Sequence, residues 1–281
     1  MTQPTGTDGL VISDVLIKYG GHTAVNGMSL SAPLGAITGL IGPNGAGKTT
    51  TFNACSGLLR PNRGTVRLFG DDVTHMSPQR RAQRGLGRTF QRMELFDSLT
   101  VRDNVALGRE AGLAGSKPWR HLRGTRADSV QVAEVVADAL EICAITDLAD
   151  RRPADLSTGQ RRLVELARCI AGGFRMMLLD EPSSGLDKGE TVAFGRILRS
   201  LVEVGVQSPD GRQPCGILIV EHDMSLVMSV CDYIHVLDFG EPIFEGTPAE
   251  VGASEIVRAA YLGSEAVEEA VPDADRATAG L

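Results

Sequence analysis

The stretch Gly42-Pro-Asn-Gly-Ala-Gly-Lys-Thr49 strongly restricts the folds open to this chain. It matches G-x-x-x-x-G-K-[ST], a pattern in which successive backbone N–H groups surround a phosphate and glycines permit its close approach. A strand-like apolar run, Ala36–Ile41, precedes the pattern, and Thr49–Gly57 has the spacing of a helix that stops at glycine. Strand, glycine-rich loop and helix in this order predict a phosphate-binding α/β fold. The predicted phosphate contacts are Gly42, Pro43, Asn44, Gly45, Ala46, Gly47, Lys48, Thr49 and Thr50.

The composition describes a chain that can bury a large core, since 42% of its 281 residues are hydrophobic. Its net charge of -7 argues against nonspecific binding to nucleic acid, because such binding needs an excess of basic groups. The five cysteines are far apart and form no C-x-x-C pair, which favours reduced core thiols over disulfides or a zinc site. No segment has the character of a signal peptide or a membrane span, so we expect any membrane role to depend on a partner.

The order of strand-like and helical patterns indicates how the chain is organised. β-rich segments from Leu10 to about Gly70 flank the phosphate loop and predict an α/β core with an antiparallel β portion. From about Gln91 to Cys169 strand signals are absent and apolar residues recur at helical spacing, which predicts a helical subdomain inserted into the core. Strand character returns in Arg175–Asp180 and Cys215–Glu221, and the polar stretch Gln207–Pro214 between them predicts a loop. The predicted divisions are a flexible N-terminus over residues 1–9, one domain over 10–263 with its helical insertion at about 91–169, and a flexible acidic tail over 264–281.

Two of the strand-like runs end in residues that can act on bound phosphates. Asp180 follows four apolar residues, so its carboxylate emerges at a strand end and can hold a Mg²⁺ shell, while Glu181 can polarise an attacking water. Lys48 can reach the β- and γ-phosphates, and the Thr49 hydroxyl can ligate the Mg²⁺ that bridges them. His222 follows the second run, at the same predicted edge of the sheet. These residues predict phosphate chemistry that uses Mg²⁺.

Taken together, the motifs give the chain a resemblance to the ATP-binding subunits of ABC transporters, from about Leu10 to Gly263. They occur in the order typical of that family: a glutamine loop at Gln91, a signature at Leu156-Ser-Thr-Gly-Gln160, a D-loop at Ser184-Gly-Leu-Asp187 and a switch histidine at His222. The resemblance implies hydrolysis of ATP with Mg²⁺, and Lys48, Glu181 and His222 as catalytic residues. It implies metal contacts from Thr49, Gln91 and Asp180, and further nucleotide contacts from Tyr19, which would stack on adenine, and from Gln91, Ser157, Thr158, Gly159, Gln160 and Asp187.

The signature places Ser157 and the Gly159 backbone at the start of a predicted helix, where donors and a positive helix end suit an anion. The resemblance implies that this anion is the γ-phosphate held by an opposite ATP-binding subunit, so that two sites lie between two subunits. ATP would then close the pair and hydrolysis would release it, and a monomer would be a poor ATPase. Thr158 stands where the family commonly has glycine; because Ser157 and Gly159 remain, we expect function to survive.

Residues beyond the glutamine loop suggest a surface for a partner. Met93, Leu95 and Phe96 precede a predicted helix start near Thr100, and they suit either core packing or, by the resemblance, a groove for a short helix of a membrane permease subunit. A local run of arginines predicts a solvated helix face, with membrane headgroups or the permease as the alternative contact. Its members are Arg80, Arg81, Arg84, Arg88 and Arg92.

Four segments resemble one branch of the family, the ATPase subunits of branched-chain amino acid importers: Gly87–Arg92, Leu99–Val105, Val220–Met224 and Ala260–Gly263. That branch implies permease subunits, a second ATP-binding subunit that is identical or related, and a substrate-binding protein reached indirectly. It also implies a place on the cytoplasmic face of the cell membrane, held there by the permease. Urea and short-amide importers and the lipopolysaccharide-export ATPase remain alternatives.

Two further classes share the phosphate loop. Soluble ABC ATPases of translation usually carry two cassettes in one chain, and those of DNA repair carry long coiled-coil or zinc insertions; this sequence shows one cassette and neither insertion. A P-loop kinase would transfer phosphate without needing Ser157–Gln160 or His222. The importer ATPase is therefore the favoured interpretation.

Overall fold

The computed structural model describes residues 8–89, 95–114, 126–208 and 211–261. Within these ranges the strands are β1 (Gly9–Tyr19), β2 (His22–Pro33), β3 (Ile37–Ile41), β4 (Arg63–Leu68), β5 (Asp71–Asp72), β6 (Leu86–Arg88), β7 (Met176–Asp180), β8 (Val206–Ser208), β9 (Gly211–Gln213), β10 (Gly216–Val220), β11 (Tyr233–Asp238) and β12 (Glu241–Gly246). The helices are α1 (Lys48–Ser56), α2 (Pro78–Ala82), α3 (Val101–Ala114), α4 (Arg126–Ile142), α5 (Thr158–Ala171), α6 (Lys188–Val204), α7 (Met224–Val230) and α8 (Pro248–Ala253), followed by a helical segment over residues 255–261. The predicted α/β fold is confirmed.

A mixed sheet forms the centre of the molecule, with strand order β12-β11-β3-β10-β7-β6. Its strands run parallel from β11 to β6, and β12 is antiparallel to β11. Every residue of β3, β7 and β10 is buried, as their continuous apolar sequences require of strands covered on both faces. Successive residues of β7 contribute to different cores: Met177 and Leu179 pack with the helices α3 to α7, and Met176 and Leu178 pack towards β1, β2 and α1.

The predicted antiparallel portion is a second sheet with strand order β2-β1-β4-β5. Its inward side chains, among them Leu10, Ile12 and Val66, share one core with Phe52 of α1. Between β6 and β7, the described residues form helices α3, α4 and α5 and two 3-10 turns, Thr146–Leu148 and Pro153–Asp155. The helices predicted for this part of the sequence are present in its described residues.

The prediction that the polar stretch Gln207–Pro214 is a loop is wrong. Its described residues pair as an antiparallel hairpin, with Gln207 opposite Arg212 and Ser208 opposite Gly211. The Ser208 hydroxyl donates a 2.7 Å hydrogen bond to the Gly211 carbonyl. An Asp-Gly pair between two short runs is a hairpin signal, and the polar composition concealed it.

The prediction that the arginine run forms a solvated helix face is also wrong for Arg81 and Arg88, whose side chains are largely buried. Arg81 is fully buried, and its Nη1 donates to the carbonyl oxygens of Ala54 and Cys55 at 2.6 and 2.7 Å. These carbonyls lie at the C-terminal end of α1, where a cation satisfies acceptors that the helix leaves without partners. Arg81 therefore fixes the end of the helix that follows the phosphate loop.

The prediction of reduced core thiols is confirmed, because all five cysteines are free and buried. Burial raises the pKa of Cys55 to about 12 and that of Cys215 to about 12, so both stay protonated at neutral pH. None of the described helices combines the length and the apolar character needed to cross a lipid bilayer.

Candidate nucleotide site

The phosphate loop is held by backbone packing that only glycine allows. A side chain at Gly42, where φ is 152°, would collide with the Leu237 carbonyl, and a Cβ at Gly47 would lie 2.6 Å from the Ala24 carbonyl oxygen. The Gly240 N–H donates a 3.0 Å hydrogen bond to the Ala46 carbonyl, which ties the loop to the turn between β11 and β12. The loop is therefore shaped by its neighbours in the fold.

Lys48, the first residue of α1, is 9% exposed and lies across this loop. Its Nζ donates to the carbonyl oxygens of Gly42 and Pro43 at 2.6 and 2.8 Å. Burial lowers the pKa of Lys48, and the nearby carboxylates of Glu181 and Asp180 act in the opposite direction. An ammonium that is partly desolvated and held by two neutral carbonyls is well placed to exchange them for phosphate oxygens.

Three strand ends meet beside the loop because of the register of the central sheet. Val220 at the end of β10 lies opposite Leu40 of β3 on one side and opposite Asp180 of β7 on the other. The loop that follows β3 and the acidic pair that ends β7 therefore emerge at the same edge, as predicted. In parallel sheets this carboxyl edge is where ligands bind.

Asp180 is 5% exposed and has a cation as its partner. The Arg88 Nη2 donates a 3.1 Å hydrogen bond to Oδ2 of this carboxylate. Burial raises the pKa of Asp180, while the charge of Arg88 and its hydrogen bond act to lower it. Arg88 was not predicted as a site residue.

Glu181 turns the chain sharply as β7 ends. Its φ is 47°, a value that non-glycine residues adopt rarely, and its N–H donates a 2.9 Å hydrogen bond to the Val220 carbonyl. This bond joins the end of β7 to the end of β10. A costly backbone conformation beside a ligand edge is typical of functional residues, which supports the predicted role of Glu181.

A third acidic residue, Glu221, lies between β10 and His222, and no role was predicted for it from the sequence. It is fully buried, and its carboxylate accepts hydrogen bonds from the Ser183 N–H at 2.8 Å and from the His222 N–H at 3.2 Å. Burial raises the pKa of Glu221, and these N–H donors act against that rise. Glu221 links the segment after Glu181 to the segment that carries the His222 ring, which is 61% exposed. An ionisable residue directly after an apolar run, like Asp180, was the available signal.

Tyr19 and Gln91 are two further predicted contacts with the nucleotide. Tyr19 ends β1, lies opposite His22 across the hairpin and is 51% exposed, so its ring is open to a ligand. Gln91 lies outside the described residues.

The signature residues form the first turn of α5. Ser157 is the N-cap: its Oγ accepts from the Gln160 N–H at 3.2 Å, and the Gln160 Oε1 accepts from the Ser157 N–H at 3.1 Å. A Cβ at Gly159 would lie 2.5 Å from the Glu190 Oε1, so the first turn of α5 packs closely against the Glu190 side chain of α6. Thr158 places its methyl group beside Gly185 of the D-loop, where the D-loop glycine leaves room for it.

Asp187 caps the neighbouring helix in the same way. Its Oδ1 accepts from the Glu190 N–H at 2.8 Å, and the Glu190 Oε2 accepts from the Asp187 N–H at 3.1 Å. The starts of α5 and α6 therefore lie side by side. In the described part of the chain, the hydrogen bonds of Ser157 and Gln160 stay within their own turn, and none reaches the phosphate loop.

The donors at this edge fit a hard divalent cation bound together with phosphates. The Thr49 side chain is exposed at the start of α1, and Asp180 offers a carboxylate close to the same lysine. The described residues hold no group of three or more His, Cys, Asp or Glu side chains suited to a metal. Few protein ligands, all of them oxygen, are typical of Mg²⁺ that is bound largely by phosphates and water.

Comparison with known proteins agrees with this geometry. A family model described as ABC transporter matches residues 25–184, and one described as branched-chain amino acid ATP-binding cassette transporter matches residues 241–267. The chain is 34% identical to the high-affinity branched-chain amino acid transport ATP-binding protein BraF of Pseudomonas aeruginosa, over 90% of this chain and 97% of that protein. It is 32% identical to the protein LivG of Escherichia coli, which carries the same description, over 94% of this chain and 99% of that protein.

Solved structures show the same likeness. The ADP conformation of MJ1267, an ATP-binding cassette of an ABC transporter, is 28% identical with a TM-score of 0.77, and the match covers 91% of this chain and 99% of that one. A nucleotide-free ATP-binding cassette from an ABC transporter is 26% identical with a TM-score of 0.73, and the match covers 95% of this chain and all of that one, 100%.

The capping role of Asp187 makes a prediction about stability. Asp187→Ala removes the acceptor for the Glu190 N–H and is expected to lower the free energy of unfolding by about 1 kcal/mol. Asp187→Asn keeps an acceptor oxygen and is expected to retain most of that stability. Urea unfolding of the purified chains without nucleotide measures both; an alanine variant as stable as the parent would contradict the capping role.

Proposed function

Since the chain belongs to the ABC transporter family, we propose that it is the ATP-hydrolysing subunit of an importer of branched-chain amino acids. The observation that carries the proposal is the convergence of the phosphate loop, the Asp180–Glu181 pair and His222 at the ends of three adjacent strands. Such an edge brings a phosphate cradle, a metal carboxylate and a water-orienting carboxylate within reach of one ligand.

The phosphate loop and α1 bind the phosphates of ATP in this proposal. Backbone N–H groups of the loop and the positive end of α1 face the β- and γ-phosphates, and the Lys48 ammonium leaves the Gly42 and Pro43 carbonyls to contact them. Tyr19, exposed at the end of β1, stacks on the adenine ring through its face. The Lys48 ammonium that donates to these carbonyls therefore also binds the phosphates.

The Thr49 hydroxyl and the Asp180 carboxylate are the described residues that would hold Mg²⁺, with Gln91 as a third by resemblance. When bound, the cation would offset the negative charge of the phosphates. Glu181 accepts a proton from the attacking water, and its backbone is fixed by the hydrogen bond to Val220. The exposed ring of His222 donates towards the γ-phosphate, and buried Glu221 holds the segment that carries it.

A second ATP-binding subunit, identical or related, completes each site. The first turn of α5 presents Ser157 and Gly159, and in one chain these groups make no hydrogen bond to the phosphate loop among the described residues. They would instead meet the γ-phosphate held by the other subunit, with the helix end adding a positive potential. Because Gly159 packs on Glu190 and Thr158 on Gly185, the signature and the D-loop would approach the partner together.

A permease contact is supported by an aromatic side chain near the start of α3. Phe96 is 55% exposed, and its backbone is fixed by the fully buried Asn104, whose Oδ1 accepts from the Phe96 N–H at 2.8 Å and whose Nδ2 donates to its carbonyl at 3.0 Å. The next residue, Asp97, forms a 3.4 Å ion pair with Arg161 of α5. A permease helix seated at Phe96 would therefore act on the helix that begins with the signature.

In this proposal the permease holds the chain on the cytoplasmic face of the cell membrane, and a substrate-binding protein supplies the solute to the permease from the other side. The relatives described as branched-chain amino acid transport proteins align with about nine-tenths of the chain, 90% for BraF and 94% for LivG. The segment 241–267 matches a family model of the same description. These likenesses favour branched-chain amino acids over urea, short amides or lipopolysaccharide, and transport over a soluble ATPase role.

The assigned role of Glu181 predicts a separation of binding from hydrolysis. Glu181→Gln is expected to keep ATP affinity within about twofold and to reduce phosphate release by the assembled transporter at least about 100-fold, because an amide cannot accept the proton. Glu203→Gln, an exposed change near the far end of α6, serves as the matched control. Normal turnover in the Glu181 variant would remove this residue from the catalytic role.

The proposed cargo is tested by uptake of labelled leucine into cells that lack this gene. The intact chain is expected to restore uptake, and Lys48→Ala is expected not to, because the phosphates lose their main cationic contact. Glu203→Gln should restore uptake as well as the intact chain does. Equal uptake in every strain would contradict leucine import, and a parallel assay with urea or short amides would then identify the other branch.

A further inference from the structure

Arg88 joins two parts of the nucleotide site that are separate in sequence. It is the last residue of β6 and lies opposite Leu178 of β7, so its guanidinium reaches along the parallel strand to Asp180, where Nη2 and Oδ2 are 3.1 Å apart. Its Nη1 donates to the Asn53 Oδ1 at 2.7 Å and to the Ser56 Oγ at 2.9 Å. Both acceptors belong to α1, the helix that follows the phosphate loop.

A third contact with α1 fixes the plane of the guanidinium. The Arg88 Cζ lies 4.8 Å from the centre of the Phe52 ring, in the range of a cation–π interaction. Phe52 is fully buried, and the side chains of Arg88 and Asp180 are 13% and 6% exposed. Water therefore screens this ion pair little, and its geometry is set by three side chains of one helix.

The chain offers a contrast in Arg84, which pairs with Asp71 at 3.6 Å while these side chains are 40% and 71% exposed. Such a surface pair contributes little to stability. The Arg88 pair differs in burial, in the number of its hydrogen bonds and in its carboxylate, which ends β7 at the ligand edge. In the described part of the chain Arg88 holds Oδ2 of Asp180, and no hydrogen-bond donor lies on Oδ1.

From this geometry we propose that Arg88 is a positioning residue that sets the Asp180 carboxylate relative to α1, so that Asp180 and Thr49 face one Mg²⁺ together. The inference rests on the proposed ATP site. Partners that hold a ligating carboxylate orient it and raise metal affinity, typically by 10–100-fold. Arg88 suits this role because a planar fork can hold the carboxylate with one nitrogen and α1 with the other.

The test separates metal binding from nucleotide binding. In the Glu181→Gln background, which keeps ATP intact, titration calorimetry gives the ATP dissociation constant with EDTA and with saturating Mg²⁺. The ratio of the EDTA constant to the Mg²⁺ constant measures how strongly the metal favours binding of ATP to the protein. Metal binding by free ATP is the same for every variant, so it cancels when variants are compared. Arg88→Met is expected to lower this ratio about tenfold and to leave the value with EDTA within about twofold.

Three further variants make the result specific. Arg88→Lys keeps the charge but lacks the fork, so an intermediate fall of about threefold is expected. Arg84→Met, the matched control, should change neither constant. Ser56→Ala removes one anchor while keeping the ion pair, and it is expected to give a fall of about threefold even if Arg88→Met does not fold.

An unchanged ratio in the Arg88 and Ser56 variants would overturn the proposal. Equal weakening of ATP binding with and without Mg²⁺ would also overturn it, because that result describes a general structural role. A parent chain that binds no ATP would instead refute the nucleotide site, and the Arg88 assignment with it. The two failures are therefore distinguishable.

Discussion

The position of β10 between β3 and β7 is the constraint on which the rest of the site depends. Its backbone hydrogen bonds set Val220 opposite both Leu40 and Asp180, and the Glu181 N–H extends the same ladder to the Val220 carbonyl. A slip of one residue would turn every side chain of a strand to the other face and carry Asp180 away from the loop. Because β3, β7 and β10 are buried on both faces, such a slip would also exchange their side chains between the two cores and disrupt the packing of both.

Three charged groups at this edge are held by hydrogen-bond partners. Lys48 lies on two loop carbonyls, Asp180 on Arg88 from β6, and Glu221 on the N–H groups of Ser183 and His222. A buried charge without a partner would cost several kcal/mol, so these contacts maintain the geometry of the edge. In the proposed function, phosphates would replace the Gly42 and Pro43 carbonyls as partners of Lys48.

The sequence was sufficient for those features whose residues are contiguous. The phosphate loop, the strand ending at Asp180 and the strand before His222 were each predictable, because a local pattern defines both the structure and the chemistry. Arg88 could not be assigned, since its role depends on β6 lying beside β7 and on α1 lying above both. Arg81 was misjudged for a similar reason: its acceptors are the end carbonyls of a helix more than twenty residues earlier. Charge in a sequence does not reveal which charges are buried.

The signature motif was found in the sequence, but the hydrogen bonds by which its residues cap α5 were not predicted. Ser157 and Asp187 cap adjacent helices, so each supports the fold of its own chain in addition to the partner contact proposed for it. The most direct test of the whole arrangement is an experimental structure of the Glu181→Gln chain with ATP and Mg²⁺. We expect phosphates at the ends of β3, β10 and β7, the Lys48 Nζ on the β- and γ-phosphates, and Asp180 beside the metal. A nucleotide bound elsewhere, or Lys48 still held by the Gly42 and Pro43 carbonyls, would contradict this arrangement.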